Sequence, residues 1–385
     1  MKLFSKFPRE RNRFVTLFLC GDVMTGRGID QILPCPGDST IHESYMLSAF
    51  GYVELAETVH GDIPWPVDFS YIWGDALKIF EQMTPDVKII NLETAITRSD
   101  EYWKGKGINY RMNPGNIPCL TAAGIDCCSL ANNHVLDWGY DGLLETVETL
   151  KKVRIKSAGA GRDMAEAAAP AIHDISGKGR VIVFSFGTVT SGIPCAWKAA
   201  PNKPGINLLP DLSEETVRAV GDQVRSVKQA GDIVVASIHW GGNWGYAIPG
   251  EHREFACTLI DEAGVDVIHG HSSHHVLGIE VYHEKLILYG CGDFINDYEG
   301  ISGHEQYRGD IGLMYFPDVD PWSGRLVRLH MVPTQVYRFR IRLAQPADVL
   351  WIYDVLNREG KLLGTSVSIG ENNIMTLQQK PEPGE

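Results

Sequence analysis

The stretch "DCCSLANNHVLDWGYDG" (residues 126–142) passes from an apolar run into Asn132, Asn133 and His134, and then into "YDGLLETVETLKKVR" (140–154). A short run with no polar alternation suits a strand buried on both faces. The segment after it carries helical spacing and ends in Lys and Arg, as helix C-termini often do. One asparagine would be enough to tie down a turn. A histidine beside two asparagines, with Asp137 and Trp138 close behind, points to chemistry.

Working outward, the same grammar recurs. "FVTLFLC" (14–20) leads to Gly21-Asp22, "VKII" (87–90) to Asn91-Leu92-Glu93, and "DIVVASI" (232–238) to His239-Trp240. "VDVI" (265–268) leads to His269-Gly270-His271 and "KLILYG" (285–290) to Cys291-Gly292-Asp293, while "RVIVFSFG" (180–187) is a further apolar run. Helical segments lie between several of these: "FSYIWGDALKIFEQMT" (69–84), "LSEETVRAVGDQVRSVKQAG" (212–231) and "GEHREFACTLIDEAG" (250–264). Strand–helix alternation predicts an α/β domain in which helices cover a sheet. Reactive groups of such domains gather on the loops past the strands' carboxyl ends. Here Asp22, Glu93, Asn133, His239 and His271 all end apolar runs, and all can coordinate a metal.

Composition narrows the function. A chain of 385 residues, 44% hydrophobic, can bury one large core or two modest ones. A formal charge of -13 argues against nucleic acid and against an anionic membrane surface as partners. The opening "MKLFSKFPRERNRFVTLFLCGDVM" places basic residues before an apolar run, but that run is short and lacks a small-residue cleavage site, so it reads as a first buried strand. No window approaches the roughly 20 apolar residues of a membrane span. The expected location is the cytoplasm. Of the eight cysteines, Cys20, Cys127, Cys128 and Cys291 lie in or beside apolar runs, and no CxxC spacing suggests a zinc ribbon.

Two loop-rich insertions, residues 34–66 and 97–118, follow site-bearing turns and are expected to form a rim or lid. The main domain is expected to span residues 12–318. Residues 319–385 read as an extension packed upon it: two strands, the helix "PADVLWIYDVLNREG" and a last strand in "TSVSIGENNIMTLQ".

"HGHSSHH" puts His269, His271, His274 and His275 within seven residues. A lone histidine is most often a satisfied core residue, but four behind a buried strand favour metal. Asp22 could also serve simply as a turn former. Glu93, set among Ile, Leu and Ala, needs a partner for its charge. Asn133 offers a neutral carbonyl.

The ordered motifs "GDVMTGR", "NLETAIT", "SLANNHVLDWG", "SIHWGGNWG", "DVIHGHSSHHVLGIE" and "LILYGCGDFIND", spanning residues 21–297, resemble the poly-γ-glutamate capsule-biosynthesis protein CapA family, a branch of the calcineurin-like metallophosphoesterase superfamily. The resemblance implies a four-layer α/β/β/α sandwich with a metal site at one end. It implies one or two divalent ions held by Asp22, Glu93, Asn133, His239, His271 and His274, with His269 in reserve. Mixed nitrogen and oxygen donors without thiolate fit Mn, Fe or Zn. His134 becomes the acid–base residue and Asp137 its orienting partner. Met24 stands where the superfamily usually carries a histidine, which leaves one metal position short of a ligand. Arg27, Tyr110, Arg111, Asn132 and Trp240 are the candidate substrate contacts, and Trp65, Trp103 and Trp244 are aromatics of the rim. The implied activity is hydrolysis of a phosphoester or of a γ-glutamyl or peptide bond in a small-molecule, peptide or polymer substrate. The same parts would serve an epimerase that moves a proton next to a carbonyl. A third expectation is a non-catalytic scaffold in polymer synthesis.

Overall fold

Strand register explains where the polar turns end up. The structure, a computed structural model, describes residues 13–379. The basic opening, residue 12 as the expected domain start and the last six residues of the tail lie outside the described residues. An eleven-stranded sheet and a six-stranded sheet dominate a mixed α/β architecture. In the larger sheet, Val15–Phe18 pairs parallel with Val87–Leu92, which pairs parallel with Asp22–Val23 and with Cys127–Ser129. In the smaller sheet, Gly179–Gly187, Asp232–His239 and Val267–His271 run parallel side by side.

Side chains alternate across a strand, so each apolar run feeds two cores. Val15, Leu17 and Leu19 of the larger sheet and Val235 and Val267 of the smaller one share one cluster. Phe18, Ile90 and Leu92 face a second cluster together with Leu143 and Leu150 of the helix Gly139–Lys152. Ile182, Ala236 and Ile268 face a third, with Val217, Val220 and Val224 of the helix Glu214–Val227. That last helix starts where Ser213 accepts a hydrogen bond from the Thr216 amide. Each of its fully buried valines contributes about 1.5–3 kcal/mol. Its exposed Arg218–Glu214 pair at 3.5 Å is worth about 0–1 kcal/mol, so burial holds the helix in place.

Several expected elements take a different form. The 69–84 segment opens with a 3-10 turn, Tyr71–Trp73, before the helix Ala76–Met83. Insertion 34–66 contains the helix Phe50–His60 and is not all loop. The single last strand is a hairpin, Thr365–Ile369 with Met375–Gln379. Asn372 and Asn373 adopt positive φ in its turn, a conformation that asparagine tolerates better than most residues. The expected boundary at 318 falls within the strand Ile311–Val319, which pairs with Leu326–Tyr337. Val349, Ile352, Val355 and Leu356 of the helix Pro346–Gly360 enter the cluster shared by the two sheets. Among the described residues, no helix is long and apolar enough to cross a membrane.

Candidate metal centre and its histidine–aspartate pair

The alternation that fills the core also loads the site. On Val87–Leu92, Val87 and Ile89 face the cluster between the sheets, and Asn91 and Glu93 continue the same row. On the smaller sheet, Val235 is followed at intervals of two by Ser237 and His239, and Val267 by His269 and His271. Register aligns these rows across strands: Asp293 lies opposite Asp22 and Asp22 opposite Asn91, while His239 lies opposite His271. Gly21 permits the first pairing, because a Cβ there would come within 1.8 Å of the Gly292 carbonyl oxygen.

The donors converge. His239 Nδ1 lies 2.7 Å from His271 Nδ1, and His239 Nε2 lies 3.0 Å from Asn133 Oδ1. Ser237 Oγ is 2.9 Å from His271 Nε2. Asp22 Oδ1 accepts from Asn91 Nδ2 at 2.8 Å, and the same amide reaches Glu93 Oε2 at 3.1 Å. Glu93 Oε1 stands 4.0 Å from His239 Nε2 and 3.8 Å from His134 Nε2. Beyond the strand end, Ser272 takes φ 97° and its amide donates to Asp22 Oδ2 at 3.3 Å. This strained turn sends His274 to the other side of Asp22, where its Nδ1 meets Asp293 Oδ1 at 2.8 Å. Ligand atoms of Asp22, His239 and His271 lie within 4.8 Å of one another, as do those of Asp22, His274 and Asp293. All five residues are buried.

Electrostatics bear the marks of this crowding. Burial, reinforced by the Asp293 charge, pushes Asp22 up to about 6. Glu93 rises well above the usual range through burial and then through Asp22. Burial and neighbouring imidazoles press His239 and His271 well below their ordinary value, leaving neutral rings with lone pairs to offer. Burial alone would lower His274 too, but Asp293 and Asp22 carry it upward.

His134 sits beside this cluster. Its backbone amide donates to Asn132 Oδ1 at 3.1 Å, and its Nδ1 is 2.6 Å from Asp137 Oδ2. The distance alone would allow an ion pair, yet burial and then Lys106 hold His134 well below its ordinary value. We read a neutral imidazole, because Asp137 is already engaged by the Lys106 ammonium and by the Tyr110 amide at 2.6 Å. Burial nonetheless pushes Asp137 up to about 7 against the pull of Lys106. His134 Nδ1 thus lies between Asp137 Oδ2 and the Lys106 ammonium, 2.9 Å away, and Nε2 faces Glu93.

The remaining candidates sit elsewhere. His269 is 3.1 Å from Ser237 Oγ and 2.7 Å from the Cys20 carbonyl, so both its nitrogens have hydrogen-bond partners. Arg27 is buried, held by Asp297 at 3.1 and 2.5 Å and by Glu43 at 2.9 Å. Arg111 donates to the Ser99 and Asp38 carbonyls and to Asp100. Asn132 anchors the turn through Asn91 Oδ1 and the Leu92 carbonyl. Trp240 donates to the Tyr289 carbonyl within the helix-side core. Besides Asn132, whose side chain holds the His134 amide, Tyr110 of this group touches the pair, its ring 4.3 Å from that of His134. Trp65 is exposed, Trp103 packs on Tyr140 and Trp197, and Trp244 stacks on His304 and lies 5.5 Å from the His274 ring.

Sequence reasoning passed over two residues. Asp293 ends an apolar run just as Asp22 does, so its signal was present. Lys106 lies in an irregular loop, where no periodicity marks it.

Two packed sheets whose strand ends gather buried aspartate, glutamate, asparagine and histidine define an α/β protein with groups that could hold a metal. The chain belongs to the family described as bacterial capsule synthesis protein PGA_cap, whose model matches residues 16–298, a branch of the calcineurin-like metallophosphoesterase superfamily. A probable polyglutamine synthesis accessory protein of Mycobacterium tuberculosis is 46% identical over 364 residues, covering 94% of this chain and 96% of its own. The PGA biosynthesis protein CapA of Bacillus subtilis is 27% identical over 278 residues, covering 72% of this chain and 62% of its own. The capsule biosynthesis protein CapA of Bacillus anthracis is 24% identical over 287 residues, covering 74% and 61%.

Proposed function

We propose that the protein is a metal-dependent hydrolase acting on a phosphoester or a γ-glutamyl or peptide bond in poly-γ-glutamate metabolism. One observation carries the reading. Asp22, Glu93 and Asp293 are buried together, and the nearby ammonium of Lys106 is committed to Asp137. Buried like charges in contact destabilise a fold unless a cation balances them. Neutral His239 and His271 supply the nitrogen donors that such a cation takes. The donor set thus fits one or two divalent ions of Mn, Fe or Zn, held by Asp22, Glu93, Asn133, His239, His271 and His274. The three apolar clusters support the four-layer α/β/β/α arrangement that goes with this family.

A divalent ion in this set supplies the Lewis-acid charge that hydrolysis requires. His134 does the proton work. Nε2 receives a proton or returns one to a leaving oxygen, while Asp137 fixes the ring through Nδ1. Lys106 and the Tyr110 amide hold Asp137 in turn. The 97–118 insertion packs on the pair: the Trp103 amide donates to the Asp137 carbonyl at 2.7 Å, and the Tyr110 ring lies 4.3 Å from that of His134.

The test combines metal analysis of protein purified without chelator with a screen of phosphodiester and γ-glutamyl peptide hydrolysis. His134→Ala should lose at least about 100-fold in turnover, the scale of a general acid–base contribution, and keep its metal. Loss of both together would make His134 a ligand. The word "accessory" in the mycobacterial relative's name favours one second reading, a non-catalytic scaffold in polymer synthesis. Metal-free protein with no turnover in the screen would support it.

A further inference from the structure

Two phenols span the distance between His274 and His134. The Tyr298 ring meets the His274 ring edge-on at 5.5 Å, the Tyr110 ring lies 4.3 Å from that of His134, and the two hydroxyls are 2.7 Å apart. Tyr298 is tied to the cluster through its backbone: its amide donates to Asn296 Oδ1 at 3.1 Å, and Asn296 Nδ2 donates to Asp293 Oδ2 at 2.8 Å. The pair carries two O–H hydrogens, and only one of them can lie between the two oxygens. If Tyr298 donated to Tyr110, the Tyr110 hydrogen would have no acceptor among the described residues, and a buried donor left unsatisfied destabilises a fold. Tyr110 therefore donates to Tyr298. The Tyr298 hydrogen is left with the Met24 thioether at 3.4 Å, a weak acceptor. A cavity of about 300 Å³, lined by Trp244, Glu299, Ile301 and His304, opens on Tyr298, and the Trp244 ring lies 5.5 Å from that of His274. Tyr298 is partly exposed and Tyr110 fully buried, so Tyr298 is the one that a bound molecule can reach.

We propose that the Tyr298 hydroxyl is a catalytic group: it leaves the Met24 thioether and donates a hydrogen bond to the substrate oxygen on which negative charge builds during hydrolysis, while Tyr110 donates to it from behind. The ligand class is an oxyanion, whether a phosphoryl oxygen or the oxygen of a carbonyl under attack. A phenol of ordinary pKa, about 10, keeps its hydrogen at neutral pH, so no proton moves in this step. A hydrogen bond to an ionised acceptor is roughly twice as strong as a neutral one, and donation from Tyr110 polarises the Tyr298 O–H further. The bond strengthens as charge develops, which is how such a donor lowers a barrier. The proposal deepens the hydrolase reading and rests on it, and its test separates the two ideas.

The test compares wild type with Tyr298→Phe and Tyr110→Phe as full-length, metal-loaded protein. Orthovanadate, an oxyanion that accepts a further oxygen as a phosphoryl group does in its transition state, is the probe, and its Kd is measured by calorimetry. Turnover on the substrate that the hydrolysis screen identifies is measured alongside. Tyr298→Phe should bind orthovanadate at least about 10-fold more weakly and lower kcat at least about 10-fold with KM little changed. Phenylalanine keeps the ring, so metal content and thermal midpoint should match wild type. Tyr110→Phe leaves the Tyr298 donor in place and should lose less than Tyr298→Phe on both measures. Wild-type affinity and turnover in Tyr298→Phe would overturn the proposal and leave the hydrolase reading standing. So would a fall in its metal content, which would make Tyr298 a support of the ligands, or a larger loss in Tyr110→Phe, which would make Tyr110 the donor. Orthovanadate binding that depends on Tyr298, in a wild type without turnover, would support the donor and overturn the hydrolase reading. Neither binding nor turnover in wild type would overturn both.

Discussion

Lys106 reaches the histidine–aspartate pair from a loop, and it does so at a cost. Its ammonium is largely buried, donates to Asp137 and to the Asn133 carbonyl, and lies 5.4 Å from the centre of the Trp197 ring. Burial pushes its pKa down, and Asp137 opposes that shift. By holding Asp137 it fixes the His134 ring, so Lys106→Met should lower turnover about 10- to 100-fold through misplacement of that ring. Metal content and KM should be unchanged, and a fall in metal content would refute a positioning role. A residue away from the site contributes to acid sensitivity. His173 is buried with Nε2 unpartnered, and burial lowers it to about 4. Its folded pKa lies below its unfolded value, so its contribution is fully present above pH 6.5 and is lost as pH falls from there toward 4. The shift corresponds to about 3 kcal/mol at most. His173→Leu should flatten stability against pH across that window by about this amount, as measured by urea unfolding; an unaltered slope would dismiss the assignment.

At the scale of elements, the 34–66 insertion is anchored more firmly than its loop-like sequence suggests. Arg27 joins Asp297, at the end of the site strand, to Glu43 of the insertion, and its guanidinium lies 3.8 Å from the centre of the Tyr52 ring. Removing one member of a buried ion network strands the others. Arg27→Met should therefore cost about 3–5 kcal/mol in denaturant unfolding and open residues 34–49 to proteolysis. A loss below about 1 kcal/mol would mean that the carboxylates find water instead. The sequence showed an arginine in a site motif but nothing of Glu43 or Asp297, because ion partners 16 and 270 residues away have no local signature. For the same reason Asn132 and Trp240 looked exposed to substrate while the fold uses them as a turn anchor and a core side chain. What was legible was local: apolar runs became strands, and the residues ending them became the cluster. Glu93 stood out for a sound reason, since a carboxylate among isoleucine and leucine has to be explained by something the fold brings to it.

For the whole molecule, the decisive fact is that two sheets meet at the site, and pairing order is what local sequence hides. The tail was expected as an extension packed on the main domain; its strands extend the larger sheet and its helix enters the shared core. His269 shows what that meeting requires. It lies in the smaller sheet and reaches the Cys20 carbonyl beside the larger one, so it fastens the two sheets together. Asp22 and Asp293 come from the larger sheet, and His239 and His271 from the smaller, so a cation held among them would fasten the same junction. On the proposed metal centre, metal binding and fold stability would therefore be linked. An ion present at about 1,000 times its Kd adds about 4 kcal/mol, and chelation removes that increment. Thermal unfolding with and without chelator should show a drop in wild type that returns on adding Zn2+ or Mn2+. His271→Ala should shrink the chelator-dependent drop. His269→Ala should lower stability by a similar amount with and without chelator, because it removes a direct bond between the sheets and leaves the ligands in place. If chelator sensitivity disappears in His269→Ala and persists in His271→Ala, the two histidines have exchanged roles and the ligand belongs at position 269.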